Sequence, residues 1–173
     1  ELIRFRHFFY TMIRNKDWSR QVIKYSKLNF EISEFDVVIS SYPSLASPWS
    51  SHSIKKLKIA DKWICDFRDP INYKNNSNFI LFRLNTLLQN NILKYADCVT
   101  HVSHGIATKF NSKYNEKFIY LPNGFDSDDL LNFNTRKDNI ETSVLTISYV
   151  GSLYGGQRSV EPLFKAIKIL QEG

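Results

Sequence analysis

Two stretches decide the architecture: Asp36-Val37-Val38-Ile39-Ser40-Ser41-Tyr42-Pro43-Ser44 and Lys62-Trp63-Ile64-Cys65-Asp66-Phe67-Arg68-Asp69-Pro70. Each is a short apolar run without strict polar alternation, closed by a proline that cannot continue a strand. Runs of this kind suit strands with both faces buried. The residues between them, roughly 47–58, have helical composition. Two further runs follow, Asp97-Cys98-Val99-Thr100-His101-Val102 and Lys117-Phe118-Ile119-Tyr120-Leu121. A helix is expected across about 78–95, with Ile80, Leu84, Leu87, Leu88 and Asn91 near one face. Strands alternating with helices predict an α/β, Rossmann-like parallel sheet flanked by helices, doubly wound and covered on both faces.

Outward from this centre, residues 1–34 read as helical, with Trp18, Val22, Tyr25 and Ile32 near one face. No glycine-rich turn precedes the first strand, because the glycines are Gly105, Gly124, Gly151, Gly155, Gly156 and Gly173. The opening strand and helix of such a fold are therefore expected to lie outside these residues. Residues 126–143 are polar and read as a linker. A new strand is expected over 144–150, followed by Gly151-Ser152-Leu153-Tyr154-Gly155-Gly156 and a helix. That helix carries Val160, Leu163, Phe164, Ile167 and Leu170 as an apolar stripe. The organisation is thus a first domain over 1–125, a linker over 126–143, and the first strand and helix of a second Rossmann-like domain over 144–173.

The chain has 173 residues, 43% apolar and 14% aromatic, which fits a globular core and excludes a disordered or collagen-like chain. No apolar run approaches the ~18 residues that a membrane-spanning helix needs. The opening residues are too interrupted by Arg and His for a signal peptide. Cys65 and Cys98 have neither metal-ligand spacing nor the pattern of a disulfide scaffold, so a reducing cytoplasm is the expected location. Of the net charge of +6, residues 1–30 contribute +5: seven Lys or Arg stand against Glu1 and Asp17. Arg4, Arg6 and Arg14 interleave with aromatic and aliphatic residues, a mixture suited to an anionic membrane surface. No nucleic-acid-binding signature accompanies them.

Several positions carry chemistry. A glycine turn between a strand and a helix lets backbone N–H groups approach a phosphate, and Arg158 adds a charge beside it; a tight turn that binds nothing has the same pattern. Asp66, Arg68 and Asp69 sit at a strand's carboxyl end, where open α/β sheets place ligands. Asp69 suits an acceptor hydroxyl and Arg68 a phosphate, unless Arg68 simply pairs with Asp66 or Asp69 to fix the loop. His52 and His104 are candidate bases on the acceptor side, with Ser103 beside them, whereas His101 is expected to be packed within its strand. Asp126-Ser127-Asp128 looks like a metal motif but suits a helix cap better. No metal site or cofactor is expected.

Four blocks in order resemble the family 4 glycosyltransferases, enzymes of GT-B type with two facing Rossmann-like domains. The blocks are Asp36-Val-Val-Ile-Ser-Ser-Tyr-Pro-Ser, Trp63-Ile-Cys-Asp-Phe-Arg-Asp-Pro, Ala96-Asp-Cys-Val-Thr-His-Val-Ser, and Leu121-Pro-Asn-Gly-Phe-Asp with Tyr149-Val-Gly-Ser-Leu-Tyr-Gly-Gly. The resemblance runs from about Trp18 to the end of the chain and implies a fragment: most of the acceptor domain and the start of the donor domain. It implies retaining, metal-independent transfer of a sugar from a nucleotide-sugar donor to a glycan or lipid-linked acceptor of surface-polysaccharide synthesis. The enzyme would be cytoplasmic, peripheral at the inner face of the membrane. The residues implied on the donor are Asn123, Gly151, Ser152, Gly155, Gly156 and Arg158. The residues read above as catalytic candidates are Asp69, Arg68, His52 and His104, with Asp66 and Ser103 in the acceptor-side cleft. From another class, a non-catalytic α/β module that recruits a partner or a membrane surface fits the same core.

Overall fold

A computed structural model describes residues 2–71, 78–128, 146–153 and 159–172, Arg4 by its backbone alone. The chain forms two compact units, residues 1–125 and 126–173.

In the first unit a long helix α1 (Leu2–Asn29) precedes β1 (Phe35–Tyr42), α2 (Ala46–Lys56), β2 (Ala60–Phe67), α3 (Phe79–Tyr95) and β3 (Cys98–His101). A single-turn α4 (His104–Ala107) and a 3-10 segment (Ser112–Lys117) lead to β4 (Phe118–Tyr120). The four strands form one parallel sheet in the order β1-β2-β3-β4. Ser41 lies beside Asp66, Asp66 beside Thr100, and His101 beside Tyr120.

This is the α/β, Rossmann-like parallel sheet flanked by helices that was expected, and among the described residues its helices lie on one face. When every strand is added on the same side of its predecessor, right-handed crossovers place all the helices on one face. Burial follows that rule. Trp63, Cys65, Phe67 and Val99 point to the covered face and form the core with Leu45, Ile92, Leu93, Ala96, Ile106 and Phe110. On the other face Val37, Ile39, Ile119 and Leu121 are exposed, Ile39 at 68%.

Two helices bury faces other than those expected. In α1, Trp18 and Tyr25 are exposed, whereas Ser19 and Ser26 are buried and Met12 packs against the core. Serine suits this contact because a small side chain lets two helices approach. The Ser50 hydroxyl of α2 donates to Ser19 Oγ at 3.2 Å. In α3 the buried side is Leu81, Gln89, Ile92 and Leu93, while Ile80 and Leu87 are exposed. That helix is apolar around most of its circumference, so periodicity alone allowed more than one inner face. Asn78 caps it, its Oδ1 accepting from the N–H groups of Ile80 and Leu81. The helix expected over 47–58 ends at Lys56, and Lys58 turns into β2 with a left-handed φ of 59°.

The amino end of the sheet is closed by charge. Lys117 Nζ donates to the carbonyls of Leu93, Lys94 and Ala96 at 3.2, 3.0 and 2.8 Å, neutralising the end of α3. Asp97 accepts from Lys55 Nζ at 2.7 Å and from the Trp63 N–H at 2.8 Å. Burial alone would raise the Asp97 carboxyl, but these donors and the charge of Lys117 hold it below its ordinary value.

The second unit is described in parts. Residues 127–128 begin a helical turn, and Asp126 Oδ1 accepts the Asp128 N–H at 2.9 Å, as expected of a cap. Of the strand expected over 144–150, residues 146–150 have no regular secondary structure. No neighbouring strand takes up their backbone groups among the described residues, and a strand needs one. The helix α5 (Glu161–Glu172) forms as expected, with Leu163, Phe164 and Leu170 exposed and its charges paired as Glu161–Lys165 and Lys168–Glu172.

Lys117→Met keeps the aliphatic stem but removes the charge on three carbonyls. Urea unfolding should show a loss of about 1–3 kcal/mol, with an unchanged m-value.

Candidate functional site

The polar side chains of the open face gather where the strands end. Asp66 stands on the central pair of strands, its carboxylate fixed from both sides. Ser41 Oγ of β1 donates to Asp66 Oδ2 at 3.1 Å, and Thr100 Oγ1 of β3 donates to Oδ1 at 2.7 Å. One residue beyond β2, the Arg68 guanidinium donates to Asn123 Oδ1, tying the end of β2 to the loop after β4. These side chains line a cleft of about 450 Å³, with Ile39, Ile64, Val102 and Leu121 as its apolar wall. Arg68 is thus engaged with Asn123, not with Asp66.

The loop after β2 is anchored from beneath. Gln89, 1% exposed in α3, accepts the Ile71 N–H on Oε1 at 3.1 Å and donates from Nε2 to the Lys109 carbonyl at 2.9 Å. Both ends of a buried amide are satisfied, which stabilises a unique path for Pro70 and Ile71. Tyr42, at the end of β1, packs against Phe67, and burial, with Asp69 adding to it, pushes its hydroxyl up to about 12. It therefore stays a neutral donor or acceptor beside Asp69. Ser41, Thr100, Tyr42 and Gln89 were not singled out in the sequence. The only signal for Ser41 and Thr100 is a hydroxyl at the carboxyl end of an otherwise apolar strand.

The histidines divide. His104, exposed at the start of α4, stacks on Tyr120 with ring centroids 4.3 Å apart, at the same carboxyl edge as Ser103. His101 is buried as expected, Nδ1 lying 3.0 Å from the Ser103 carbonyl; a carbonyl only accepts, so that nitrogen carries the proton. His52 is not in the cleft. It stacks on Tyr95 at 4.6 Å and on Trp63 at 5.8 Å, towards the amino end of the sheet. The reason is the direction of α2: it begins at the carboxyl edge and runs back, and six residues carry it about 9 Å away. Burial lowers the His52 pKa below its ordinary 6.5, and the charges of Lys56 and Lys55 lower it further.

Asn123, expected on the donor, belongs to the first unit and holds Arg68. In the second unit Gly151 has a φ of 154°, and a Cβ there would stand 2.9 Å from the Tyr149 hydroxyl. That hydroxyl donates to the Ser152 carbonyl at 3.2 Å, folding the Tyr149 ring over the turn. The positive φ favours glycine at this position before any ligand is considered. Gly155, Gly156 and Arg158 lie outside the described residues. Among the described residues no group of three His, Cys, Asp or Glu side chains is placed to hold a metal ion, and no helix is long and apolar enough to cross a membrane.

Comparisons of the chain with protein-family models, with curated proteins and with solved structures found no match.

Because folded His52 resists a proton that the unfolded chain accepts near 6.5, stability should fall as pH drops below that value. His52→Phe, which keeps the stacking, should flatten this decline in thermal melts between pH 7.5 and 5. An unchanged slope would remove the stacked histidine from this account.

Proposed function

We propose that these residues belong to a retaining glycosyltransferase that moves a sugar from a nucleotide-sugar donor to a glycan or lipid-linked acceptor. One observation carries the reading: the four resembling blocks of the first unit meet in one cleft. Ser41 from the first, Asp66 and Arg68 from the second, Thr100 from the third and Asn123 from the fourth line the same space. Parallel strands bring these blocks to one carboxyl edge, the edge at which open α/β sheets bind their ligands.

In this reading Asp69 accepts the hydrogen bond of the acceptor hydroxyl, and Arg68, held in place by Asn123, meets negative charge on the acceptor or the departing diphosphate. Asp66 is clamped by two hydroxyls and keeps the cleft in shape. His104 stands at the same edge as a base for the acceptor. His52 stabilises the first unit and takes no part in the chemistry. The turn at Gly151 and Ser152, with Gly155, Gly156 and Arg158, contacts the donor diphosphate. Neither a metal nor another cofactor enters this scheme. The non-catalytic binding module is the competing outcome.

The test, made on the full-length protein that carries these residues, is release of nucleoside diphosphate from a panel of nucleotide sugars in the presence of a lipid extract. Arg68→Ala and Asp69→Ala should each lower turnover ~10²–10³-fold while leaving donor affinity nearly intact. His52→Phe should not slow it. Absence of any release, together with absent nucleotide binding by calorimetry, would leave the recruitment module in its place.

The enzyme works at the cytoplasmic face of a membrane in this reading, and α1 supports it. Arg6, Arg14, Lys16, Arg20, Lys24 and Lys27 are exposed on it together with Leu2, Ile3, Phe9, Tyr10 and Ile13. Its one described carboxylate, Asp17, is already paired with Arg20 at 3.1 Å. Co-sedimentation with phosphatidylglycerol vesicles should exceed that with phosphatidylcholine vesicles and should weaken as salt rises from 50 to 500 mM. Equal sedimentation at all salt concentrations would exclude the membrane as partner.

A further inference from the structure

A second cleft, of about 650 Å³, lies between α1 and the start of α2, and the transfer reading does not use it. Its wall carries Trp18, an indole 52% exposed that makes no ring contact with another aromatic among the described residues. Asn15 and Gln21, three residues to either side of Trp18 in α1, lie on the same side of the helix and line the same cleft. Thr11, Arg14 and Asp17 complete the α1 side, and Ser44, Ala46 and Ser47 face them from the α2 side.

The hydrogen-bonding inventory of this cleft is unspent. Asn15 Oδ1 accepts the Ser44 hydroxyl at 3.3 Å, and among the described residues its amide nitrogen has no partner. Among the described residues the indole N–H of Trp18, the amide of Gln21 and the hydroxyls of Thr11 and Ser47 are likewise unpartnered. An aliphatic ligand would cover the indole but strand these donors and acceptors. A small anion would use Arg14, meet the Asp17 carboxylate on the same wall, and leave the aromatic face bare. A pyranose ring answers both demands. One of its faces is a sheet of C–H groups that packs on an indole, and its rim carries adjacent hydroxyls that exchange paired hydrogen bonds with a side-chain amide.

We infer that this cleft binds a carbohydrate ring, stacked on Trp18 and hydrogen-bonded through Asn15, Gln21 and Ser47. The inference goes beyond the transfer reading and is independent of it, since it concerns binding by residues other than Arg68 and Asp69. Of the three tryptophans Trp63 is buried and Trp49 packs partly buried against the core, so the half-exposed Trp18, the one that lines this cleft, is the one whose emission a ligand there alters most.

The experiment titrates the protein with methyl α-D-glucopyranoside, methyl β-D-galactopyranoside and N-acetyl-D-glucosamine, with sorbitol as an open-chain polyol. It reads tryptophan emission and saturation-transfer NMR. At least one pyranoside should bind saturably with a Kd on the order of millimolar, while sorbitol should not. Trp18→Ala should weaken that binding ~10-fold or more and Gln21→Ala ~3-fold, whereas Arg68→Ala should leave it unchanged. Trp18→Phe, which keeps an aromatic face, should retain saturation transfer to the ring protons, so a folding defect in the alanine variant does not decide the result. The inference fails if no pyranoside differs from sorbitol, or if binding survives both Trp18→Ala and Gln21→Ala intact. Nucleoside diphosphate release, present or absent, bears on the transfer reading alone.

Discussion

A right-twisted strand feeds a helix that packs back onto its sheet from one side only, and in residues 1–125 every crossover steps the same way along the sheet. The two faces of the sheet therefore live in different solvents. One lies under α2 and α3 and takes Trp63, Cys65, Phe67 and Val99 out of water. The other keeps Ile39 and Leu121 exposed, and on this face the row Ser41, Asp66, Thr100 assembles. A cleft can form there because, among the described residues, no helix of this unit stands in its way.

The two ends of the sheet are built on opposite electrostatic plans. At the amino end Lys55 and Asp97 bind each other and the backbone, and Lys117 binds three backbone carbonyls. At the carboxyl end the charges are only partly answered. Asp66 is held by neutral hydroxyls, Arg68 by a neutral amide, and the guanidinium retains its full positive charge. Groups fixed in direction but not neutralised are suited to meet a charge brought by a ligand. The contrast between the ends separates scaffold from site more clearly than any single residue does.

How much of this was legible in the chain follows from what each signal measures. Apolar runs between prolines and helices locate strands, and all four appeared near their expected places. Those runs do not report strand order, so coverage of one face rather than two was invisible. Helical periodicity found α1 and α3 but not their inner faces. In α1 the closest contact is made by serines, which hydropathy counts as surface, and α3 is apolar nearly all round. Asp66, Arg68 and Asn123 were legible because charge and amide at strand ends are unusual. Their partners Ser41 and Thr100 were not, since a hydroxyl in a strand is common. His52 was misplaced because a position on a helix becomes a position in space only when the helix direction is known. Gly151 was expected to be glycine for a ligand's sake, and its positive φ supplies a reason within the chain itself.

The strand order has a consequence for how the first unit comes into being. Each of β2, β3 and β4 pairs with the strand synthesised just before it, so none of these three pairings waits for a segment made much later. As the chain leaves the ribosome, β2 finds β1 with α2 already between them, and β3 and β4 are laid down in turn. Loop closure stays local at every step, and the entropy of bringing distant segments together is never met all at once. The sheet can thus grow in the direction of translation, one crossover at a time, with the Arg68–Asn123 bond closing only when the last strand has arrived.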